Sequence, residues 1–272
     1  MKNLIMYCLS MEPKHLDLIK SFNYIPVGLG KNIFSEDWVT DNNGNNISHK
    51  NKYYGEYTFH YNLWKNGLNK IENNWVGFCQ YRKFWTIENK KNPKSINELN
   101  SLLLKKIPKE YEKFDVILGT EEYVNKMKIM KFLKRGFKLI VKNPLYLLNK
   151  NKRNIKFHFD MWHGQKYLSE SIKLLDNENR IDFENFVNEN VSFNPHNMFI
   201  CKSKDLLKKY YSAIFPWLKK CEDLFGFENL SGYGQTRIYG FLAERFMSYW
   251  FQKNAKVKTI PIIFYDINKE LN

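Results

Sequence analysis

Cysteine is scarce in this sequence, and its placement fits neither a zinc ribbon nor a disulfide framework. The 272 residues contain four cysteines, and no pair has the Cys-x-x-Cys spacing. Two of the four lie inside apolar runs, so we expect reduced, buried thiols, as in a cytosolic protein. The cysteines are Cys8, Cys79, Cys201 and Cys221.

Long hydrophobic runs are also missing. No run of about 18 apolar residues, the length of a spanning helix, is present. The apolar run Leu4–Leu9 is too short for a signal peptide. We therefore expect a cytoplasmic chain without a spanning helix. Its length suits one large domain or a domain with a small lobe, and we predict a single domain over residues 1–272.

Acidic residues are outnumbered, 28 against 43 basic residues, which gives a net charge of +15. The imbalance is greatest from Val124 to Phe159, where eleven basic residues occur without one acid. Apolar residues alternate with the lysines there, and Pro144 interrupts the segment. The pattern predicts a basic amphipathic insert over residues 123–157. The basic residues are Lys126, Lys128, Lys131, Lys134, Arg135, Lys138, Lys142, Lys150, Lys152, Arg153 and Lys156.

Such a segment attracts anions, and three partners suit it: acidic lipid, an anionic glycan or nucleic acid. An amphipathic helix packed on its own domain is the simpler alternative, and an AT-rich genome would account for part of the Lys and Asn excess. No base-reading motif accompanies the charge, so we predict no nucleic acid partner. We favour the cytoplasmic face of the inner membrane.

Two nucleotide-site motifs, Gly-x-Gly-x-x-Gly and Asp-x-Asp, are absent. Even so, the N-terminus reads as strand, helix, strand: Lys2–Ser10, Met11–Lys20 and a short strand running into Gly28 and Gly30. That order is typical of a nucleotide-binding α/β sheet. The two glycines alone fit a plain turn equally well.

The segment with the most distinctive sequence pattern runs from Asn45 to Trp85. Aromatic residues at steps of three and four predict a helix over about Tyr53–Asn66, with Gly67 as its left-handed stop. Glu56 and His60 share one stripe of that helix. The stretch Trp75–Arg82 predicts a buried strand. It ends in Gln80, Tyr81, Arg82 and Lys83, and ligands of α/β sheets bind beyond such strand ends.

These residues resemble a family of bacterial capsular and exopolysaccharide biosynthesis proteins, long described only as a domain of unknown function. The family resembles GT-A glycosyltransferases, and some members are galactofuranosyltransferase-like. The sequence departs from the family pattern at Gln80, where His is usual, and at Lys83, where Arg is usual. The matching residues are Asn46, Ile47, Ser48, Lys50, Asn51, Tyr54, Glu56, Trp64, Lys65, Asn66, Gly77, Tyr81, Arg82 and Phe84.

The resemblance implies a donor site for a nucleotide sugar, with a UDP-sugar favoured. The positions assigned to it are Gly28, Asp41, Asn46, Lys50, Asn51, Glu56, Gln80, Tyr81, Arg82 and Lys83. We expect Arg82, helped by Lys83 or Lys50, to clamp the diphosphate without a required cofactor, since its fork pairs two phosphate oxygens. Manganese or magnesium is the alternative clamp. An ordinary solvated loop is the alternative for Thr40–Asn51.

The C-terminal half carries further matches. Phe157–Tyr167 packs His158, Asp160 and His163 together, as acceptor-site residues or as satisfied residues at a helix start. The spacing is not one typical of metal sites. Val191–Ser203 matches a family strand, and its His196 and Asn197 are assigned to acceptor hydroxyls. A turn at Pro195 is the alternative.

Leu206–Phe225 predicts a pair of helices. Arg237–Phe246 resembles a family motif in which Glu244 and Arg245 would open a helix. By this resemblance Glu244 is the general base, Asp160 is the reserve candidate, and Arg245 joins His163 on the acceptor side. A surface ion pair is the alternative for Glu244 and Arg245.

Together these observations predict a GT-A-like, Rossmann-like mixed α/β sheet flanked by helices. The predicted activity is transfer, with inversion, to a surface polysaccharide or polyprenyl-linked oligosaccharide. A non-catalytic, membrane-associated protein of the same fold that binds a glycan or a nucleotide is the alternative.

Overall fold

The computed structural model describes residues 3–71, 75–89, 91–127 and 129–271, apart from the side chains of residues 129 and 131. Lys2 and Lys128 lie outside the described residues. The chain divides into two compact units. The first unit comprises Met1–Thr120, His196–Ala213 and Phe251–Asn272, and the second comprises Glu121–Pro195 and Ile214–Trp250.

The first unit is built on a mixed, mostly parallel sheet, as the sequence predicted. Its main path runs β10-β6-β9-β4-β1-β2-β3. Only β9 runs antiparallel to its neighbours on this path, and β5 and β11 extend the sheet beside β4. The strands are β1 (Leu4–Ser10), β2 (Ile25–Gly28), β3 (Val39–Thr40), β4 (Trp75–Gln80), β5 (Lys83–Trp85), β6 (Val116–Gly119), β9 (Phe199–Cys201), β10 (Val257–Ile260) and β11 (Ile262–Phe264).

Continuous apolar sequence explains why the central strands lie inside. In β1 and β4 nearly every residue is buried, and the two strands pair in parallel from Leu4 with Trp75 onward. Glycine at position 77 leaves room for the Met6 side chain, because a Cβ there would come within 2.8 Å of the methyl group of Met6. All four cysteines are free and buried, which confirms the predicted thiols.

Helices α1 (Leu16–Ser21), α2 (Asn51–Tyr54), α3 (Tyr57–Asn62) and α4 (Ile96–Leu102) belong to the same unit. The predicted single helix over Tyr53–Asn66 is therefore wrong. Gly55, at φ 57°, separates α2 from α3, because only glycine enters that left-handed region without strain. Gly67 has φ −118°, so it is not the predicted left-handed stop.

Where it is described, the second unit is helical except for one short two-stranded sheet. Strands β7 (Glu122–Tyr123) and β8 (Ser192–Phe193) pair antiparallel. Phe183 packs against the rings of Trp217, Phe246 and Tyr249 in its core. Its helices are α5 (Ile129–Lys142), α6 (Leu145–Leu148), α7 (Ile155–His163), α8 (Tyr167–Lys173), α9 (Asn177–Glu189) and α11 (Gly232–Thr236).

Two long helices contribute residues to both units, α10 (Lys204–Phe225) and α12 (Ile238–Asn254). The expected helix pair over Leu206–Phe225 is wrong, since α10 is one helix with Pro216 inside it. Glu244 and Arg245 lie within α12 rather than at its start, which corrects a second prediction. Across the described part of the chain, none of the helices is both long and apolar enough to span a bilayer.

Candidate functional site

Polar residues collect at one edge of the first unit's sheet. Strands β1, β2, β3 and β4 are parallel, so their carboxyl ends share this edge, and the antiparallel β9 begins there. The strand order reverses at β1, which has β2 on one side and β4 on the other. Ligands of open α/β sheets bind at such a reversal.

Asp41, one of the predicted donor residues, is buried just after β3. Its carboxylate accepts hydrogen bonds from the Thr58 hydroxyl and from the backbone N–H of Gly30. Burial raises the pKa of Asp41 above its usual value, although these hydrogen bonds oppose the rise. Asn51 donates to the Thr58 hydroxyl and to the carbonyl of Gly55. These residues fix α2 and α3 to the strand ends.

Asn46 and Lys50 lie in the loop that leads to α2. The Asn46 carbonyl oxygen accepts from the backbone and hydroxyl of Ser48, and its amide donates to backbone carbonyls of the same loop. Asn46 thus shapes the loop. Lys50 is half-buried at the end of a 3-10 turn directly before α2.

Gly28 is the last residue of β2, and the loop that follows, with Phe34 among its residues, lines a cavity of about 780 Å³. A Cβ at Gly28 would meet the Phe34 ring at 2.6 Å, so glycine is needed for this ring to pack on the strand. The Phe34 ring also contacts Trp38. Packing of the Phe34 ring therefore explains the glycine at this position, while the predicted role of Gly28 in donor binding stays a prediction.

Gln80 and Glu56 hold the segment that enters β9. Gln80 Nε2 donates to the His196 carbonyl at 3.1 Å, and Asn197 Nδ2 donates to Glu56 Oε1 at 2.8 Å. His196 and Asn197 both adopt left-handed backbone, at φ 79° and 53°. Burial and the nearby charge of Lys83 lower the pKa of His196 to about 3. Two consecutive strained residues at a strand start are typical of functional loops.

Arg82 presents a guanidinium at the end of β4. Its Nε contacts Asp266 Oδ2 at 2.9 Å, and the group lies over the Tyr81 ring at 4.7 Å. The Arg82 side chain is 54% exposed, and its Nη groups make no hydrogen bond to any residue that the structure describes. Burial disfavours the charged form of Asp266, but hydrogen bonds from Asn268 and the charge of Arg82 outweigh it and lower the pKa of Asp266.

A polar network beside Arg82 was missed by the sequence analysis. The Ser10 hydroxyl lies 2.7 Å from His15 Nδ1, and His15 Nε2 lies 3.0 Å from Asn268 Oδ1. Asn268 in turn donates to Asp266. Only the position of Ser10 at the end of a buried strand could have suggested the network, since Asp266 and Asn268 are remote from Ser10 and His15 in the sequence.

The carboxylates at this edge already have partners. Both oxygens of Asp266 are engaged, by Arg82 and by Asn268, and Asp41 and Glu56 accept hydrogen bonds as well. An ionised carboxylate has about four acceptor sites, so these contacts alone do not decide between Arg82 and a cation as the diphosphate clamp. Within the described ranges, no three His, Cys, Asp or Glu residues are grouped to hold a metal ion, His158, Asp160 and His163 included.

The second unit contains a cavity of about 540 Å³ between β7, β8, α7, α11 and α12. Its walls combine aromatic rings with two carboxylates and two guanidiniums, one of which belongs to Arg135 of α5. Lining residues include Glu122, His158, Trp162, Phe193, Tyr233 and Phe241, together with Glu244, Arg245 and His163. Aromatic faces beside charged hydrogen-bonding groups suit a ligand with both C–H and hydroxyl surfaces.

Glu244 and Arg245 form an ion pair in this cavity. The Arg245 side chain is 2% exposed, and burial lowers its pKa although the charges of Glu244 and Glu122 oppose that change. Arg245 Nη2 lies 3.2 Å from His158 Nδ1, and its Nε has no hydrogen-bond partner among the described residues. A surface ion pair, the simpler alternative, does not describe these buried groups.

His163 ends α7 and lines the same cavity. Its Nδ1 donates to the Gly234 carbonyl at 3.0 Å, and its ring stacks on Phe241 at 3.9 Å. Burial, aided by the charge of Arg245, lowers the pKa of His163 to about 3. The imidazole is therefore neutral at pH 7, and its Nε2 carries the lone pair.

Asp160, the reserve catalytic candidate, is not among the residues that line the cavity. Lys156 Nζ contacts its Oδ2 at 2.6 Å, while its Oδ1 is buried without a hydrogen-bond partner among the described residues. Burial raises the pKa of Asp160 despite the lysine. His158, Asp160 and His163 lie along and at the end of α7 rather than at a helix start, as one alternative expected.

Comparison with known proteins addresses family and fold. No curated protein matches the chain. The apo structure of the bifunctional glycosyltransferase WbbM superposes with a TM-score of 0.67 and 20% identity, over 96% of this chain and 45% of that one. The chain thus spans less than half of that protein, and the likeness confirms the predicted fold class alone.

A weaker likeness joins the chain to core-mannan synthase A from Aspergillus fumigatus in its Mn/GDP form, with a TM-score of 0.38, 12% identity, and coverage of 95% and 73%. Residues 8–255 match the family described as "Domain of unknown function (DUF4422)". This match confirms the resemblance seen in the sequence. The chain belongs to the DUF4422 family.

Proposed function

We propose that this protein is a glycosyltransferase that moves a sugar from a nucleotide-sugar donor, a UDP-sugar by preference, to a hydroxyl of a glycan acceptor. The observation that carries the proposal is the cavity of the second unit, where Glu244 and Arg245 lie among aromatic rings. Stacking rings and a carboxylate are what a sugar hydroxyl needs for positioning and deprotonation. The WbbM-like fold supports it.

The donor diphosphate is assigned to the strand edge of the first unit. There the Arg82 Nη groups carry positive charge and make no hydrogen bond to the described residues, and Lys83 and Lys50 belong to the same unit. A guanidinium fork pairs two phosphate oxygens, so Arg82 neutralises the charge that develops on the leaving diphosphate. Asp266 holds the guanidinium through Nε in a fixed orientation.

The acceptor is assigned to the second unit. In one inverting displacement, the acceptor oxygen bonds to the anomeric carbon as the bond from that carbon to the diphosphate oxygen breaks. Glu244 takes the hydroxyl proton, and Arg245 keeps that carboxylate in place. The neutral His163 accepts a hydrogen bond from a second hydroxyl through Nε2.

The family resemblance supports a surface polysaccharide or polyprenyl-linked oligosaccharide as acceptor, at the cytoplasmic face of the inner membrane. The free, buried thiols suit a reducing compartment. His196 and Asn197 belong to the first unit, where Gln80 and Glu56 hold their strained backbone, and their contact with acceptor hydroxyls stays a prediction.

The test is transfer of radiolabelled sugar from a panel of nucleotide sugars to synthetic polyprenyl-diphosphate-linked saccharides. We expect labelled product and an equal amount of nucleoside diphosphate with one donor. Nucleotide binding without transfer to any acceptor, or release of nucleotide without labelled glycan, would favour the non-catalytic binding protein.

A further inference from the structure

Helices α5 and α6 of the second unit expose a row of large apolar side chains. Met130, Phe137 and Val141 are 75%, 66% and 64% exposed, and Leu148 of α6 is 82% exposed. Leu133, Leu145 and Leu147 are exposed too. We call these seven residues the apolar stripe. Exposed apolar patches of this kind mark a contact with something other than water.

Packing of α5 on its own unit does not account for the apolar stripe, because that packing uses a different face. Phe132 and Ile140 are buried against Phe157, with Gly136 close to the same ring. Met130, Leu133, Phe137 and Val141 follow one another at steps of three and four, so they form a separate row along the helix. An amphipathic helix that merely covers a core would not need this second apolar row.

A third face of α5 is basic. Lys134, Lys138 and Lys142 recur every fourth residue and are exposed. Their row runs beside the apolar stripe along the helix, and no acid occurs between Val124 and Phe159. Lysine is depleted from the centres of protein–protein interfaces, so this combination disfavours a protein partner. A basic row beside an apolar row suits the interface of an anionic bilayer, where side chains enter the acyl boundary and lysines meet headgroups.

We propose that α5 and α6 bind the surface of an anionic phospholipid bilayer, with the apolar stripe inserted and the lysine row on the headgroups. This attachment is independent of the glycosyl-transfer proposal. It would hold the protein against the bilayer whatever reaction the protein performs.

The test is flotation of the purified chain with vesicles of phosphatidylcholine, with and without about 30% phosphatidylglycerol, at low salt. We expect binding to the anionic vesicles only. The triple variant Met130→Ser, Phe137→Ser, Val141→Ser should bind at least roughly tenfold more weakly, since apolar burial supplies much of the affinity. Lys134→Gln with Lys138→Gln should weaken the preference for anionic lipid.

The control is Ile181→Ser with Leu224→Ser, two apolar residues of other helices that are 59% and 53% exposed. This variant should bind like the unaltered protein, and all variants should keep the same circular dichroism. Three results overturn the proposal: no flotation of the unaltered protein, equal flotation of the triple variant, or a lipid-free dimer in sedimentation that the triple variant abolishes. The last would make the stripe an interface between copies.

Discussion

Glu244 has an unusual position for a proton acceptor, because its nearest charge is a guanidinium. The Arg245 side chain is almost fully buried, so water cannot replace the Glu244 carboxylate as the partner of its guanidinium. Removing the negative charge would leave a buried cation unpaired, which is costly. Glu244 therefore contributes to stability besides its proposed role in chemistry, and a test must separate the two effects.

Glu244→Gln should abolish sugar transfer while the nucleotide still raises the melting temperature, because the amide keeps the shape but cannot take a proton. The transfer assay and a nucleotide thermal shift check this on the same preparation. Glu184→Gln, at an exposed position of α9, is the matched control and should retain activity. A variant that is folded and fully active would remove Glu244 from catalysis.

The sequence identified Arg82 as a candidate residue of the donor site, but it did not identify the side chains that surround Arg82. The strand-end position and the family motif were both visible in the sequence, and β4 does end at Gln80. Asp266, Asn268 and His15 lie far from Arg82 in the sequence, and no local pattern links them. Contacts between remote segments form only when the sheet is assembled, which is why they escaped prediction.

At the scale of elements, strands were more predictable than helices. Continuous apolar runs identified β1 and β4, because burial on both faces leaves a direct mark on composition. Helix continuity was less visible. Gly55 breaks the predicted helix through the backbone freedom of glycine, whereas α10 continues through Pro216 against the local preference of proline.

The attachment of α3 to the sheet depends on Thr58 and Asp41, both fully buried. Thr58→Val should lower the free energy of unfolding by about 1–3 kcal/mol, because a buried carboxylate loses a hydrogen-bond donor. Urea denaturation measures the change. Thr58→Ser keeps the hydroxyl and should cost less. If the two variants were equally destabilised, the hydrogen bond would not be what matters at this position.

For the whole molecule, three histidines make stability depend on pH. Burial lowers the pKa values of His60, His163 and His196 to about 3 from an ordinary 6.5. These histidines bind protons more readily in the unfolded chain than in the folded one. Their contribution to the free energy of unfolding is therefore fully present above about pH 6.5 and is lost as the pH drops towards 3. Each histidine contributes a slope of about 1.4 kcal/mol per pH unit in that window.

His60 is the best of the three to alter, because its ring lies among Phe78, Phe199 and Tyr211. His60→Phe keeps a ring there and removes the titrating group. Between pH 6.5 and pH 4, the unfolding free energy of this variant should fall less steeply than that of the unaltered protein. Both are measured by urea denaturation in the same pH series. Parallel curves for the two proteins would show that His60 does not titrate on unfolding.

The family and the fold class of the protein are established, and the use of a nucleotide sugar is the central proposal about its function. The most direct test is thermal unfolding with UDP, GDP, CDP, ADP and CMP, each with manganese and with EDTA. A ligand at about 100 times its dissociation constant adds about 2.7 kcal/mol to stability. We predict a selective shift with one nucleoside diphosphate that persists in EDTA and is lost in Arg82→Ala but not in Arg180→Ala. No shift with any nucleotide would contradict the claim, and a shift that requires manganese would contradict the role of Arg82.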